Sequence, residues 1–459
     1  MAIRRGRKSR WYQLDGEKAF WLFAIFAALV FLTGGGSRAD IESLGPLRTL
    51  SALVLAVALW FQSGKSLRRV ITPLCIILLL AAWMAIQLVP LPPSIWAGLP
   101  GREVISELGM LAGLESTWRP ITFSPMKTAN SLASLVVPLA GLLVLALLDE
   151  RGWRRLPWVF IVAGVASALF GVAQLLTGVD GLYLYEITND GSAVGLFSNR
   201  NHNAMFLTAA LLLCVFRMER ISRKQFGPAE IAAILAALAI FVGILVNASR
   251  SGLVGLGLVG LIFAARALLA WRSGKANGGL RLIISAIVGL LSLSLVALFA
   301  FLGRSPAIER LIQSDPAEGQ RAQTLDTVLG MVTQFQPFGT GFGAFEQAFR
   351  TLESDDLLSA RYFNNAHNDW LQFPIEGGLP AILLGLVAIV LLVLRTLRIV
   401  RNRPSDQMMA DNAVLGILVI GVLALASIVD YPLRTPSIML LVVAAAAMLF
   451  KPMATAARG

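Results

Sequence analysis

Apolar runs follow one another along almost the whole chain, separated by short polar segments. Twelve stand out, at 19–33, 49–62, 70–89, 129–148, 157–178, 203–218, 230–248, 252–270, 282–303, 378–397, 412–429 and 436–450. A helix crossing a bilayer needs about 17–25 such residues, so the shorter runs have ends defined only to within a few residues. Backbone inside lipid must satisfy its own hydrogen bonds, which makes these runs helices. The expected fold is an all-α integral membrane protein with about twelve transmembrane helices, a single polytopic domain over residues 1–459.

The longest polar segment, 304–377, lies between the ninth and tenth runs. Ala322, Leu325, Val328, Leu329 and Val332 recur in it at helical spacing, and Phe342, Phe345, Ala348 and Phe349 repeat the pattern after Gly339-Thr340-Gly341. These predict short amphipathic helices, lying either at a lipid interface or in a compact cap. A Pro-rich segment, 90–127, and a third segment, 179–202, share the same side.

Hydrophobic residues make up 56% of the chain and charged residues 14%, and mean hydropathy is +0.72. A soluble domain carries about 25% charged residues. The net charge of +12 raises the question of nucleic acid. Its distribution gives a different answer. With an inner N-terminus and twelve spans, 26 of the 39 Lys and Arg fall inside and 13 outside, whereas 8 of the 27 acidic residues fall inside and 19 outside. That is the positive-inside pattern; it places both termini in the cytoplasm and assigns the basicity to topology, with no nucleic-acid partner expected. The basic start ahead of the first run lacks a small-residue cleavage site and reads as an uncleaved first span. Cys75 and Cys214 sit inside runs, so no disulfide framework is expected.

Charged residues are nearly absent from the middle of the runs. Ion-coupled transporters place ionisable groups there, and many carry inverted repeats; neither is seen. The charges gather at outer span ends, which suits a substrate with a lipid tail and a polar head. Five outer arginines, Arg200, Arg250, Arg321, Arg361 and Arg434, run against the acidic bias of that side. Taken singly, each reads as a snorkelling or ion-paired residue. Converging on one pocket, their planar forks would make an anion site. His367, in Asn364-Asn365-Ala366-His367-Asn368-Asp369-Trp370-Leu371-Gln372, is one of only 2 histidines. Its imidazole suits general-base work near neutral pH, although a loop histidine also serves structure. Asn368, Asp369 and Gln372 either orient it or bind sugar hydroxyls, or Asn368 or Asp369 caps the next helix. His202 reads as a polar boundary residue. No metal-ligand cluster and no phosphate loop is evident.

His367-Asn368-Asp369-Trp370-Leu371-Gln372 followed by Glu376-Gly377-Gly378 resembles the His-Asn-x-x-Leu and Glu-x-Gly signature of the O-antigen ligase and polymerase superfamily. Gly195 to Ala204 resembles its Asn-rich segment, Ser249-Arg250-Ser251-Gly252 its Ser-Arg turn, and Arg321 with Pro337-Phe338-Gly339-Thr340-Gly341 its helix and Pro-x-Gly-x-Gly segment. The resemblance is strongest over 190–400. It implies a glycosyltransferase of C-type architecture in the bacterial inner membrane. Such an enzyme moves a glycan from a polyprenyl (undecaprenyl) diphosphate to an acceptor on the periplasmic face, with inversion and without a metal or other cofactor. Ligases use lipid A-core as acceptor. Polymerases extend a lipid-linked glycan, and the segment 90–101 with the turn Asp430 to Pro436 resembles exopolysaccharide-associated members. In this frame His367 is the base, Arg200, Arg250 and Arg321 grip diphosphate, and Asn201, Asn368, Asp369, Glu376 and Arg434 bind substrate or support the site. Glu376 reads equally as an ion-pair partner.

Overall fold

A computed structural model describes residues 14–178, 180–218, 227–272, 289, 316–355, 363–402 and 407–452. The expected span 282–303 (Gly289 apart) and Arg361 lie outside the described residues.

Among the described residues, eight helical stretches are long and apolar enough to cross a membrane by length and composition: Gly16–Thr33, Leu44–Phe61, Pro125–Leu147, Glu150–Thr177, Pro228–Asn247, Arg250–Leu269, Asp369–Arg401 and Met409–Ala426. Two shorter apolar helices, Ile71–Gln87 and Pro436–Phe450, and the helix Arg200–Met218 coincide with three further expected spans.

Arg200–Met218 is the central element. It is buried at every residue from His202 to Phe216, because it packs against Glu150–Thr177, Pro228–Asn247, Arg250–Arg272 and Gln407–Ala426. A helix surrounded by others must be apolar all round, and this one is over most of its length. Val136–Leu147 is enclosed in the same way by Gly16–Thr33, Leu44–Phe61 and Pro436–Phe450. Asp369–Asn402 is the opposite case. Leu383, Leu386, Val390 and Leu394 remain exposed along it. Apolar surface on that scale is stable only against lipid or another protein.

Two expected spans differ in shape. The run 129–148 forms two helices, Pro125–Ser134 and Val136–Leu147, with the break at Leu135. Pro138 causes it: the ring has no N–H to give the Ser134 carbonyl and clashes with it. The second difference bears on the site. Helix Asp369–Asn402 begins ahead of the expected 378–397 run and is kinked at Gly378, where φ is 62°. The segment from Asp369 to Gly377, expected as the end of a loop, is therefore one arm of a broken helix.

The expected amphipathic helices are present as Pro316–Gln334 and Phe345–Arg350. They form a compact cap: Val328, Met331, Phe335, Phe345, Phe349 and Phe363 share a buried cluster with Ile375. Leu325 and Leu329 stay exposed on the other side. The segment 90–127 joins this cap. A two-residue antiparallel pairing of Pro90-Leu91 with Arg119-Pro120 closes it, and Phe123 N–H donates to the Thr340 carbonyl at 2.8 Å. The buried Arg102 guanidinium pins the two segments, donating to the carbonyls of Ile121 at 2.6 Å and Gly339 at 2.9 Å. Burial pulls its pKa down to about 10, still high enough to stay charged.

Candidate active site

His367 ends an irregular stretch and carries φ of 50°, a left-handed conformation that side chains rarely take. Gln372, one turn into the following helix, braces the stretch. Its Oε1 accepts from Ala366 N–H at 2.9 Å, and its Nε2 donates to Asn365 Oδ1 at 3.0 Å and to Glu376 Oε1 at 2.9 Å. Asn368 caps the helix, its Oδ1 accepting from Leu371 N–H at 3.2 Å. The polar residues around His367 thus hold the loop in place.

The imidazole of His367 lies on Asp430, from the turn between the last two helices. Nδ1 is 3.6 Å from Asp430 Oδ1. Asp430 is fully buried, and a buried carboxylate needs partners. It has them: Asn201 Nδ2 donates to Oδ2 at 3.0 Å, Tyr431 N–H donates to Oδ1 at 3.0 Å, and His202 Nε2 is 3.8 Å from Oδ1. Burial works to raise the Asp430 carboxyl, but His202 and His367 outweigh it and hold it well below the ordinary carboxylate range. A stable anion facing Nδ1 favours the tautomer with its proton there, which leaves Nε2 as the basic nitrogen. Tyr431 sits edge-on between the histidines, 4.9 Å from the His367 ring and 5.3 Å from the His202 ring.

His202, beside Arg200 at the start of its helix, faces inward. It is fully buried, with Nδ1 paired to Thr435 Oγ1 at 3.0 Å. It lies inside because the first turn of its helix packs under the Asp430 turn.

A second polar group adjoins the first. Arg434 Nη2 donates to Glu376 Oε2 at 2.9 Å, and Arg434 Nε is 3.5 Å from Asp369 Oδ1. Asp369 Oδ2 also accepts from Ser427 Oγ at 3.2 Å and from Leu433 N–H at 3.4 Å. Burial disfavours the Arg434 charge, but Glu376 and Asp369 outweigh it and hold its pKa above the ordinary value. These carboxylates occupy the Arg434 fork. Glu376 is thus an ion-pair partner here, the second of its two sequence readings.

Arg200 and Arg250 each open a long helix, Arg200–Met218 and Arg250–Arg272. The Asn247 side chain joins these two starts: Nδ2 donates to the Arg200 carbonyl at 3.0 Å, and Asn247 ends the helix just before the Arg250 turn. Ser249 Oγ caps that turn by accepting from Gly252 N–H at 2.9 Å. Helix N-termini carry partial positive charge, so an arginine there adds to an anion-attracting field. Asn201, next to Arg200, reaches Asp430, which ties the Arg200 turn to His367. Arg321 lies on Pro316–Gln334, but its side chain is outside the described residues.

The turn Asp430 to Pro436 was marked by resemblance, but Asp430, Tyr431 and Thr435 were not named as site residues. One signal was available: Asp430 is an acid directly beside an apolar run in a chain with few charges.

Residues 234–386 match the model of the O-antigen ligase family. A search of curated proteins gives no match. The matched region contains Arg250, the cap helices, His367 and Glu376, while Arg200, His202, Asp430 and Arg434 fall outside it. Residues 234–386 are thus similar to that family, which supports a place for the chain in the O-antigen ligase and polymerase superfamily of membrane enzymes.

Proposed function

We propose that this protein transfers a glycan from a polyprenyl diphosphate carrier, such as undecaprenyl diphosphate, to an acceptor hydroxyl on the periplasmic face of the bacterial inner membrane. The favoured acceptor is lipid A-core, which makes it an O-antigen ligase. The observation that carries the reading is the His367–Asp430 contact, tied through Asn201 to the helix start that bears Arg200.

In the reaction, His367 Nε2 takes the proton of the acceptor hydroxyl as its oxygen attacks the anomeric carbon. The bond from that carbon to the diphosphate oxygen breaks, and the electron pair leaves with the diphosphate. Attack from the face opposite the leaving group inverts the anomeric centre. General-base assistance of this kind is worth about 10²–10⁴-fold. Arg200 and Arg250 stabilise the charge growing on the diphosphate, with Arg321 a third candidate, and the two helix N-termini add fixed positive potential. Asn201, Asn368, Asp369, Glu376 and Arg434 hold these groups in place.

The same parts serve a polymerase, in which the acceptor is a second lipid-linked glycan. One assay addresses both. Purified protein is given a polyprenyl-diphosphate-linked glycan with lipid A-core in one arm and a second lipid-linked glycan in the other. Product in the first arm alone identifies a ligase, and in the second alone a polymerase. His367→Ala should abolish product while the protein inserts and accumulates normally; wild-type transfer by that variant would refute the assignment of the base.

A further inference from the structure

The segment between Glu150–Thr177 and Arg200–Met218 folds into a cleft that none of the machinery above uses. Its volume is about 400 Å³, and Tyr183, Leu184, Tyr185, Glu186 and Asp190 line it. Small-molecule sites commonly span about 300–1,000 Å³ and pair rigid apolar or aromatic walls with a few polar groups.

The walls are held in place by bonds outside the cleft's own chemistry. Tyr185 is buried, and its hydroxyl accepts from Gly35 N–H at 2.6 Å. The Tyr183 hydroxyl donates to the Ser192 carbonyl at 3.2 Å. Gln174 Nε2 donates to the Leu182 carbonyl at 3.1 Å, and Thr188 Oγ1 to the Ser198 carbonyl at 3.0 Å. With its hydroxyl engaged, the half-buried Tyr183 offers the cleft mainly its ring, at little entropic cost, and buried Tyr185 backs the wall. Glu186 and Asp190 are exposed, and neither has an ion pair or hydrogen bond among the described residues. Rings with a negative π face suit the polarised C–H face of a sugar. Carboxylates accept from its hydroxyls, in bonds stronger than neutral ones.

The cleft is also placed for this. Asn189, inside the same loop, accepts from Arg200 N–H through Oδ1 at 3.0 Å. A sugar chain attached to a diphosphate at Arg200 would have this loop beside it. The two carboxylates would repel the diphosphate itself, favouring the orientation with sugar in the cleft and phosphate at the arginines.

We infer that the Tyr183–Asp190 cleft is a glycan-binding subsite, selective for neutral or amino-bearing sugars over acidic ones. The placement rests on the proposed transfer reaction; the cleft chemistry does not. The glycan is either the donor's or the acceptor's, since both present the same hydroxyls.

The first test is binding alone, by saturation-transfer NMR on the full chain in nanodiscs. The probes are chitotetraose, its de-N-acetylated cationic form and tetragalacturonic acid. Wild type should bind the first two at least about 10-fold more tightly than the third. The Glu186→Gln/Asp190→Asn double variant should bind about 10-fold more weakly, the loss of one charged hydrogen bond, and should lose its preference for the cationic probe. A mere structural defect would not remove a charge preference. Failure of all three probes to bind wild type, or unchanged selectivity in the double variant, overturns the subsite.

The second test is transfer, with donors carrying one or several sugars and with the acceptor varied likewise. The double variant should raise KM about 10-fold for the longer donor if the donor's glycan occupies the cleft, and for the longer acceptor if the acceptor's does. Unchanged KM in both arms, with His367-dependent transfer intact, overturns the subsite and leaves the proposed function standing. Absence of transfer by wild type refutes the proposed function, and the binding test still decides the subsite.

Discussion

Asp430 Oδ1 lies 3.6 Å from His367 Nδ1, although a 34-residue helix and the one after it separate them in the chain. The contact sets the state of the imidazole. Asp430→Asn should therefore cut the transfer rate by at least about 10²-fold, a large share of what general-base help supplies. It should also shift the residual activity. A carboxylate beside an imidazole favours its protonated form, so removing it moves the acidic limb of the pH–rate profile to lower pH. A rate and profile like those of wild type would mean that Asp430 does not orient the base.

Stability should respond to acid through the same carboxylate. Asp430 has a depressed pKa in the fold, so the folded state prefers the anion more than the unfolded chain does. Its contribution is complete above the unfolded value of about 3.9 and is lost as pH falls through that value towards the folded one. Thermal unfolding in detergent, followed from pH 4.5 to pH 3, below the imidazole range, should show Tm falling less steeply for Asp430→Asn than for wild type. The groups facing it (His202, His367, Asn201 and the Tyr431 amide) stay in place in that comparison.

Arg434 joins two buried carboxylates, Asp369 and Glu376. Arg434→Ala strands both, and loss of one partner of a buried pair costs about 3–5 kcal/mol. The Arg434 side chain is 23% exposed, so the low end, roughly 3 kcal/mol, is expected here. A chemical-denaturation midpoint in detergent measures it. Arg434→Ala combined with Glu376→Gln should recover part of the loss; additive effects would deny the pairing.

Gly339 carries φ of 75°, and a Cβ there would run into the Glu376 carbonyl oxygen and the Gly378 amide. Those backbone atoms cannot move away cheaply, because Gly341 N–H and Gln87 Nε2 also bind the Glu376 carbonyl, each at 2.9 Å. Gly339→Ala should destabilise the protein by at least about 2 kcal/mol and loosen the Glu376 arm of the kinked helix. Normal Tm and normal transfer would show that the turn is not needed.

Arg250→Lys keeps the charge and removes the planar fork. Donor KM should rise about 10-fold if the fork grips diphosphate, with expression unchanged. The same substitution at Arg200 gives an independent reading, and unchanged donor KM in both variants rules out the clamp.

Much of the fold was legible in sequence because lipid imposes a simple code. Apolar runs of sufficient length become helices, and the eight membrane-length helices overlap expected runs. The cap helices were legible for a related reason, since the spacing of Val328 and Phe349 records their buried sides. The break at Leu135 was harder to read, because Pro138 lies within an otherwise uniform run. The early start of the helix at Asp369 was hidden by its polar first turns.

Within the candidate site, His367, Glu376 and the helix starts at Arg200 and Arg250 stood out by composition or motif. Asp430 and His202 did not. A carboxylate after a span and a histidine at the start of one look like ordinary boundary residues in one dimension. Their burial arises because the Asp430 turn folds over the first turn of Arg200–Met218, a packing relation with no local pattern.

By itself the sequence determined a helical membrane protein, the positions of most helices, the two amphipathic helices of the long polar segment and the histidine near them, since hydropathy and spacing are local properties. Only the tertiary structure decided which carboxylate faces that histidine, which arginine is paired by Glu376 and Asp369, and which loop forms a cleft beside Arg200. Those depend on contacts between distant segments, where burial makes each unpaired charge costly and so selects its partner.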